Sequence, residues 1–233
     1  MVDVIAFDAD DTLWHNERMF QATEAQFAEL LSVYHPPQWV RERLFATEMK
    51  NLAHFGYGIK GFILSMIETA LDLTESRIGG AEIRRIVEWG HEMLLHPVQL
   101  LDGVRDTIEA LDGRYRLMLL TKGDLFDQES KLARSGLGEF FDAVEIVSSK
   151  NASTYRTIMT RHAISPERFV MVGNSLRSDV LPALEAGGLA VHIPYEMTWA
   201  HEHLDEELLA GKDFAVLQRI SELPEWLAGR VRS

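Results

Sequence analysis

Short apolar runs, each closed by polar residues and separated by helical patterns, restrict the fold of this chain more than any other feature. From residue 97 onward they stand at Leu117–Leu120, Ala143–Val147, Phe169–Val172 and Leu189–Ile193. Between them apolar residues recur at three- and four-residue spacing near 103–111, 125–136, 152–163 and 179–187. Continuous apolarity in runs this short suits strands buried on both faces. Strands joined through helices need right-handed crossovers, which imply a parallel sheet and an α/β fold. Val4–Phe7 has the same character and is expected at the centre of that sheet, with Phe214–Leu217 as a further edge strand.

Between Glu17 and His96 the pattern is different. Four helical stretches, near 17–34, 37–54, 58–73 and 80–95, follow one another with no strand-like alternation. His35-Pro36-Pro37, Gly56-Tyr57-Gly58 and Gly79-Gly80 divide them. Pro37 suits the first turn of its helix, where the missing N–H costs little. The expected architecture is a doubly wound, Rossmann-like core domain of residues 1–15 and 97–233. An all-α helical bundle of residues 16–96 is inserted into it.

Composition removes several function classes. The 233 residues are 46% hydrophobic, enough for a sizeable core. With 36 acidic and 23 basic residues the net charge is −13, a field that repels nucleic-acid backbones and anionic lipid, so neither is expected as a partner. An anionic substrate would need a local cation. The cysteine count is 0, which leaves no disulfide, thiolate nucleophile or cysteine-bound metal. No apolar run nears the roughly 18 residues of a membrane span. Met1–Phe7 carries no basic region, so a cytoplasmic protein is expected. The sequence carries no signature of an oligomeric state.

In open parallel sheets ligands bind at the carboxyl ends of strands, and there the chain places its reactive side chains. Asp8 and Asp10 follow the first strand, and their two-residue spacing aims both carboxylates to one side with Ala9 pointing away. Such a pair can bind a divalent cation, divide acid and base roles, or let one member attack while the other moves protons. It also suits a strand-end turn or a helix cap. Thr121 and Lys122 stand where an anion could be held near a helix start, although Asp124 would equally cap that helix. Lys150 closes another strand beside Ser148 and Ser149. In Val170–Asp179, Asn174 and Asp179 offer oxygen ligands for a hard cation such as Mg²⁺. Alternatively Ser178 or Asp179 caps the next helix and Asn174 holds the turn.

Taken in order, four segments resemble the motif set of the haloacid dehalogenase superfamily, in its phosphatase branch. They are Ile5–Leu13, Leu119–Gly123, Lys150 and Val172–Asp179. The helical insertion falls where that superfamily places its commonest cap. The resemblance implies a Mg²⁺-dependent phosphatase acting on a small phosphorylated metabolite. Asp8 would be the nucleophile that forms an aspartyl-phosphate, and Asp10 the general acid and then base. Thr121, Lys122 and Lys150 would hold the phosphoryl group. Asp8, the Asp10 carbonyl, Asn174 and Asp179 would hold Mg²⁺. One departure stands out: the fourth motif usually begins Gly-Asp, and here it is Gly173-Asn174, an uncharged ligand.

Asp10 favours phosphate chemistry over dehalogenation, where no leaving oxygen needs a proton. A sugar-phosphate mutase and a catalytically weak binding member of the same fold are the alternatives. Trp14, His15 and Asn16 at the entry to the insertion, with Phe55, Tyr57 and Lys60 at its glycine bend, are candidate substrate contacts. The alternate spacing of His201 and His203 invites a metal reading, but Glu202 and the acidic residues around 205–207 favour a solvated acidic face.

Overall fold

Every residue of β1 (Val4–Phe7) is buried, as its unbroken apolar run requires, and the strand lies in the middle of the sheet. The computed structural model describes residues 2–197, 199–202, 204 and 206–231. The further strands are β2 (Arg116–Lys122), β3 (Ala143–Val147), β4 (Phe169–Gly173), β5 (Leu189–His192) and β6 (Ala215–Val216). Their order is β3-β2-β1-β4-β5-β6, and every neighbouring pair is parallel. The chain moves outward in one direction through β2 and β3 and in the other through β4 and β5. The strand order therefore reverses at β1 and β4, the switch point where such sheets open a ligand crevice.

After β1 come α1 (Glu17–Leu30), α2 (Pro37–Phe55), α3 (Ile59–Leu73) and α4 (Gly80–Leu95). Pro37 occupies the first turn of α2 as expected. These helices bury a core of their own, with Phe27, Leu31, Leu44, Phe62, Met66, Ile86 and Trp89 at its centre. α1 ends earlier than its periodicity suggests, because the chain turns at Leu31–Tyr34 before the prolines.

The later helices are α5 (Val104–Leu111), α6 (Leu125–Ser135), α7 (Ala152–Arg161), α8 (Leu181–Glu185) and α9 (Leu223–Val231). Alternate strand residues feed two apolar layers. Ile5, Phe7, Leu117, Leu119, Val170 and Val172 pack with α5 and α9, while Ala6, Met118, Leu120, Phe169 and Met171 pack with α7 and α8. α9 follows an irregular acidic stretch that carries no helical pattern, and its Leu223 and Leu227 are buried.

By internal contacts the chain forms two units. One comprises the chain up to Glu17, Val98–Lys122 and the chain from Lys131; the other comprises Arg18–Pro97 and Gly123–Ser130. Among the described residues no helix is long and apolar enough to cross a membrane.

Leu119 is fully buried in β2 opposite Phe7. Leu119→Ala is expected to lower stability by about 2–5 kcal/mol, read as a shift of the urea midpoint.

Candidate active site

Parallel register sets the site. Phe7 pairs with Leu119 on one side and Val172 on the other, so β1 and β4 end nearly level while β2 runs on to Lys122. The next amide, Asp8 N–H, still donates to Val172 O at 2.9 Å, which fixes Asp8 on the sheet edge. Its side chain is buried and accepts an ion-paired hydrogen bond from Lys150 Nζ. The same ammonium donates to Asp179 Oδ1 at 2.6 Å. Residues far apart in sequence thus bring two carboxylates onto one buried cation.

Burial pushes the Asp8 carboxyl up to about 7, against the pull of Lys150 and with Asp179 and Asp10 adding to the rise. Burial alone would lower the Lys150 ammonium, but Asp179 and Asp8 hold it above the ordinary lysine value.

The turn after β4 positions Asp179. Ser175, rather than Ser178 or Asp179, caps the helix: its Oγ accepts from Ser178 N–H at 3.0 Å, and the chain enters α8 through a π turn, Leu176–Val180. The wider turn aims Asp179 back, where its Oδ2 accepts from Ser175 N–H at 3.0 Å. Gly173 is required here, since a Cβ would stand 2.1 Å from Asp179 Oδ2. Thr12 ties the loop to β1. Its Oγ1 accepts from Asn174 N–H at 3.0 Å and lies 3.3 Å from Asn174 Oδ1 and 3.4 Å from Asp8 Oδ2.

The three aspartates after β1 meet different partners. Asp10 Oδ1 accepts from Trp14 Nε1 at 2.8 Å, and Lys131 Nζ lies 3.1 and 3.3 Å from its two oxygens. Asp11 turns away with φ 62° and accepts from Asn16 N–H at 2.8 Å and Glu17 N–H at 3.0 Å. It caps the start of α1 rather than adding a carboxylate to the cluster, and burial pushes it up to about 7 against those two amides.

Thr121 is buried at the end of β2. Lys122, expected beside a phosphoryl group, donates to Ser178 Oγ at 2.9 Å and pairs with Glu202. Glu202 also accepts from Ser175 Oγ at 2.5 Å and Ser178 Oγ at 2.6 Å. It is therefore a half-buried clasp between the chain after β5 and the ends of β2 and β4, not part of a solvated face. His203 and Asp205 lie outside the described residues.

Candidate substrate contacts have structural partners as well. His15 Nδ1 is 2.7 Å from Tyr195 Oη, and Asn16 Oδ1 accepts from Lys131 at 2.9 Å. In the other unit Lys60 pairs with Asp124 at 2.9 Å and lies over the Phe126 ring. Phe55 is exposed and Tyr57 half-buried. Asp124 also caps α6, accepting from Asp127 N–H at 3.1 Å.

Among the described residues no group of three or more His, Cys, Asp or Glu side chains is assembled to hold a metal. The donors at the strand ends are of another kind: the Asp8 and Asp179 carboxylates, the Asn174 amide oxygen and the backbone. All are hard oxygen donors, and the two carboxylates already converge on a cation, a chemistry that fits Mg²⁺.

A six-stranded parallel sheet with paired aspartates after β1, facing a lysine that bridges to the β4 loop, defines an open α/β fold with a charged cluster at its switch point. The family model for haloacid dehalogenase-like hydrolases matches residues 2–187, and the chain belongs to that family. A solved haloacid dehalogenase-like family hydrolase from Xanthomonas campestris is 41% identical, with 98% of this chain and 91% of that one covered at a TM-score of 0.87. Glyceraldehyde 3-phosphate phosphatase of Methanothermobacter thermautotrophicus is 36% identical over 121 residues, 48% of this chain and 51% of the relative. N-acylneuraminate-9-phosphatase of Mus musculus is 30% identical over 119 residues, 47% and 48% of the two chains. The chain spans about half the length of these two relatives.

Despite burial, Lys122 and the serine hydroxyls hold the Glu202 carboxyl down at about 2, below its ordinary 4.5. A depressed carboxyl stabilises the fold above its unfolded value and loses that contribution as pH falls through the folded value. Glu202→Gln is therefore expected to be less stable than the parent at pH 6, on the order of 2–3 kcal/mol. The gap should close as pH falls from 4.5 towards 2, measured by urea unfolding of both proteins at each pH.

Proposed function

We propose that the chain is a Mg²⁺-dependent phosphatase that hydrolyses a small phosphomonoester through an aspartyl-phosphate on Asp8. The observation that carries the reading is the buried Lys150 cation shared by Asp8 and Asp179, with Asp10 held two residues from the nucleophile. The phosphatase names of the two curated relatives support it.

A carboxylate attacks a phosphate dianion only where their repulsion is cancelled, so phosphoryl transfer depends chiefly on positioning and charge neutralisation. In the proposed sequence an Asp8 oxygen bonds to phosphorus while the bond to the leaving oxygen breaks, and Asp10 gives that oxygen a proton. Asp10, now a carboxylate, takes a proton from water as the water attacks phosphorus. Inorganic phosphate leaves with the electron pair of the broken bond returned to Asp8. Lys150 and Thr121 hold phosphoryl oxygens, and Lys122 is withdrawn to Glu202. Asp8, the Asp10 carbonyl, Asn174 and Asp179 would hold Mg²⁺, which when bound supplies further neutralisation of the phosphate charge. Substrate discrimination is assigned to the helical unit.

Asp8→Asn is expected to abolish turnover of p-nitrophenyl phosphate and of a phosphorylated-metabolite panel while the circular dichroism spectrum is unchanged. Retained turnover in that variant, or turnover unaffected by EDTA, refutes the mechanism. Asn174→Asp adds a ligand charge and is expected to lower the Mg²⁺ concentration for half-maximal rate by roughly tenfold.

A further inference from the structure

Lys131 lies outside the four motif segments, yet it is a charged side chain 6% exposed in the second turn of α6. Its ammonium reaches both oxygens of Asp10, at 3.1 and 3.3 Å, and Asn16 Oδ1 at 2.9 Å. Trp14, 1% exposed, donates its Nε1–H to Asp10 Oδ1 at 2.8 Å. The indole is itself fixed by backbone: Asp11 N–H donates to Trp14 O at 2.7 Å, and Trp14 bridges to Leu100. Asn16 is anchored in turn through its N–H on Asp11. A surface lysine could satisfy its charge in water, so burying one costs free energy unless a carboxylate and further acceptors meet it. Here Asp10, the carboxylate that follows the nucleophile by two residues, and the Asn16 amide oxygen meet it.

We propose that Lys131 is a positioning residue for Asp10: with Trp14 it pins the carboxyl group in the single rotamer from which a proton passes to the leaving-group oxygen. The inference rests on the phosphatase reading and deepens it. Asp10, tethered on a bent turn after β1, would otherwise rotate about χ1 and χ2. Two donors on different elements, α6 and the β1 turn, remove that freedom, and proton transfer depends on such placement. Lys131 itself exchanges no proton and touches no reacting atom. Trp14 and Asn16, expected as substrate contacts, belong on this account to the support of the acid.

Leaving-group dependence tests this directly, because alkyl phosphates need a proton on the departing oxygen and p-nitrophenyl phosphate hardly does. kcat/KM reports the half-reaction in which the leaving group departs. For Lys131→Met it is expected to fall about 10- to 100-fold on alkyl phosphates and less than about threefold on p-nitrophenyl phosphate. Lys131→Arg should restore most of the loss. If Lys131→Met does not fold, Trp14→Phe, which removes only the N–H donor, should give the same unequal loss. Equal losses on both substrate types, or none, would overturn the role of Lys131 while leaving the phosphatase reading intact. A parent enzyme that turns over no phosphomonoester with Mg²⁺ would overturn both.

Discussion

The ammonium of Lys150 between Asp8 and Asp179 is the interaction on which the rest of the site depends. Three charges taken out of water cost several kcal/mol each, and removing one partner of such a set typically costs about 3–5 kcal/mol. A fold keeps this arrangement only where the surroundings enforce it. The parallel register of β1 and β4 brings the two strand ends level. Gly173 leaves room for the Asp179 carboxylate, and the π turn aims it inward. Thr12 and Glu202 then tie the β4 loop to its neighbours.

Three aspartates close in sequence acquire three separate tasks through their partners alone. Asp8 faces a buried lysine, Asp10 is held by an indole and a second buried lysine, and Asp11 spends its charge on the amides that begin α1. The acidity of the chain thus does not read as one uniform metal-seeking cluster. Opposed environments for neighbouring carboxyl groups are the general means by which a site separates nucleophile from proton carrier.

The strands were legible because runs such as Val4–Phe7 and Phe169–Val172 are buried on both faces and need no partner to be recognised. Asp8, Lys150 and Asp179 were legible for a related reason: each ends or follows an element whose position the periodicity predicts. Glu202 and Lys131 were not. Glu202 lies in an acidic stretch whose composition suggests solvent, and only the sheet brings Lys122, Ser175 and Ser178 to it. Lys131 is an ordinary polar position in a helical pattern until α6 docks beside Asp10. Helix capping misled locally too, since Ser175, Ser178 and Asp179 are all competent caps and the π turn decides between them.

Covalent labelling of Asp8 is the central claim. The most direct measurement is rapid acid quench of the enzyme during turnover of a radiolabelled phosphomonoester with Mg²⁺, followed by peptide mapping. A transient, hydroxylamine-sensitive phosphoryl group is expected on the peptide that carries Asp8. Product formation with no labelled peptide, or a label mapped to Asp10 or Asp179, would contradict it.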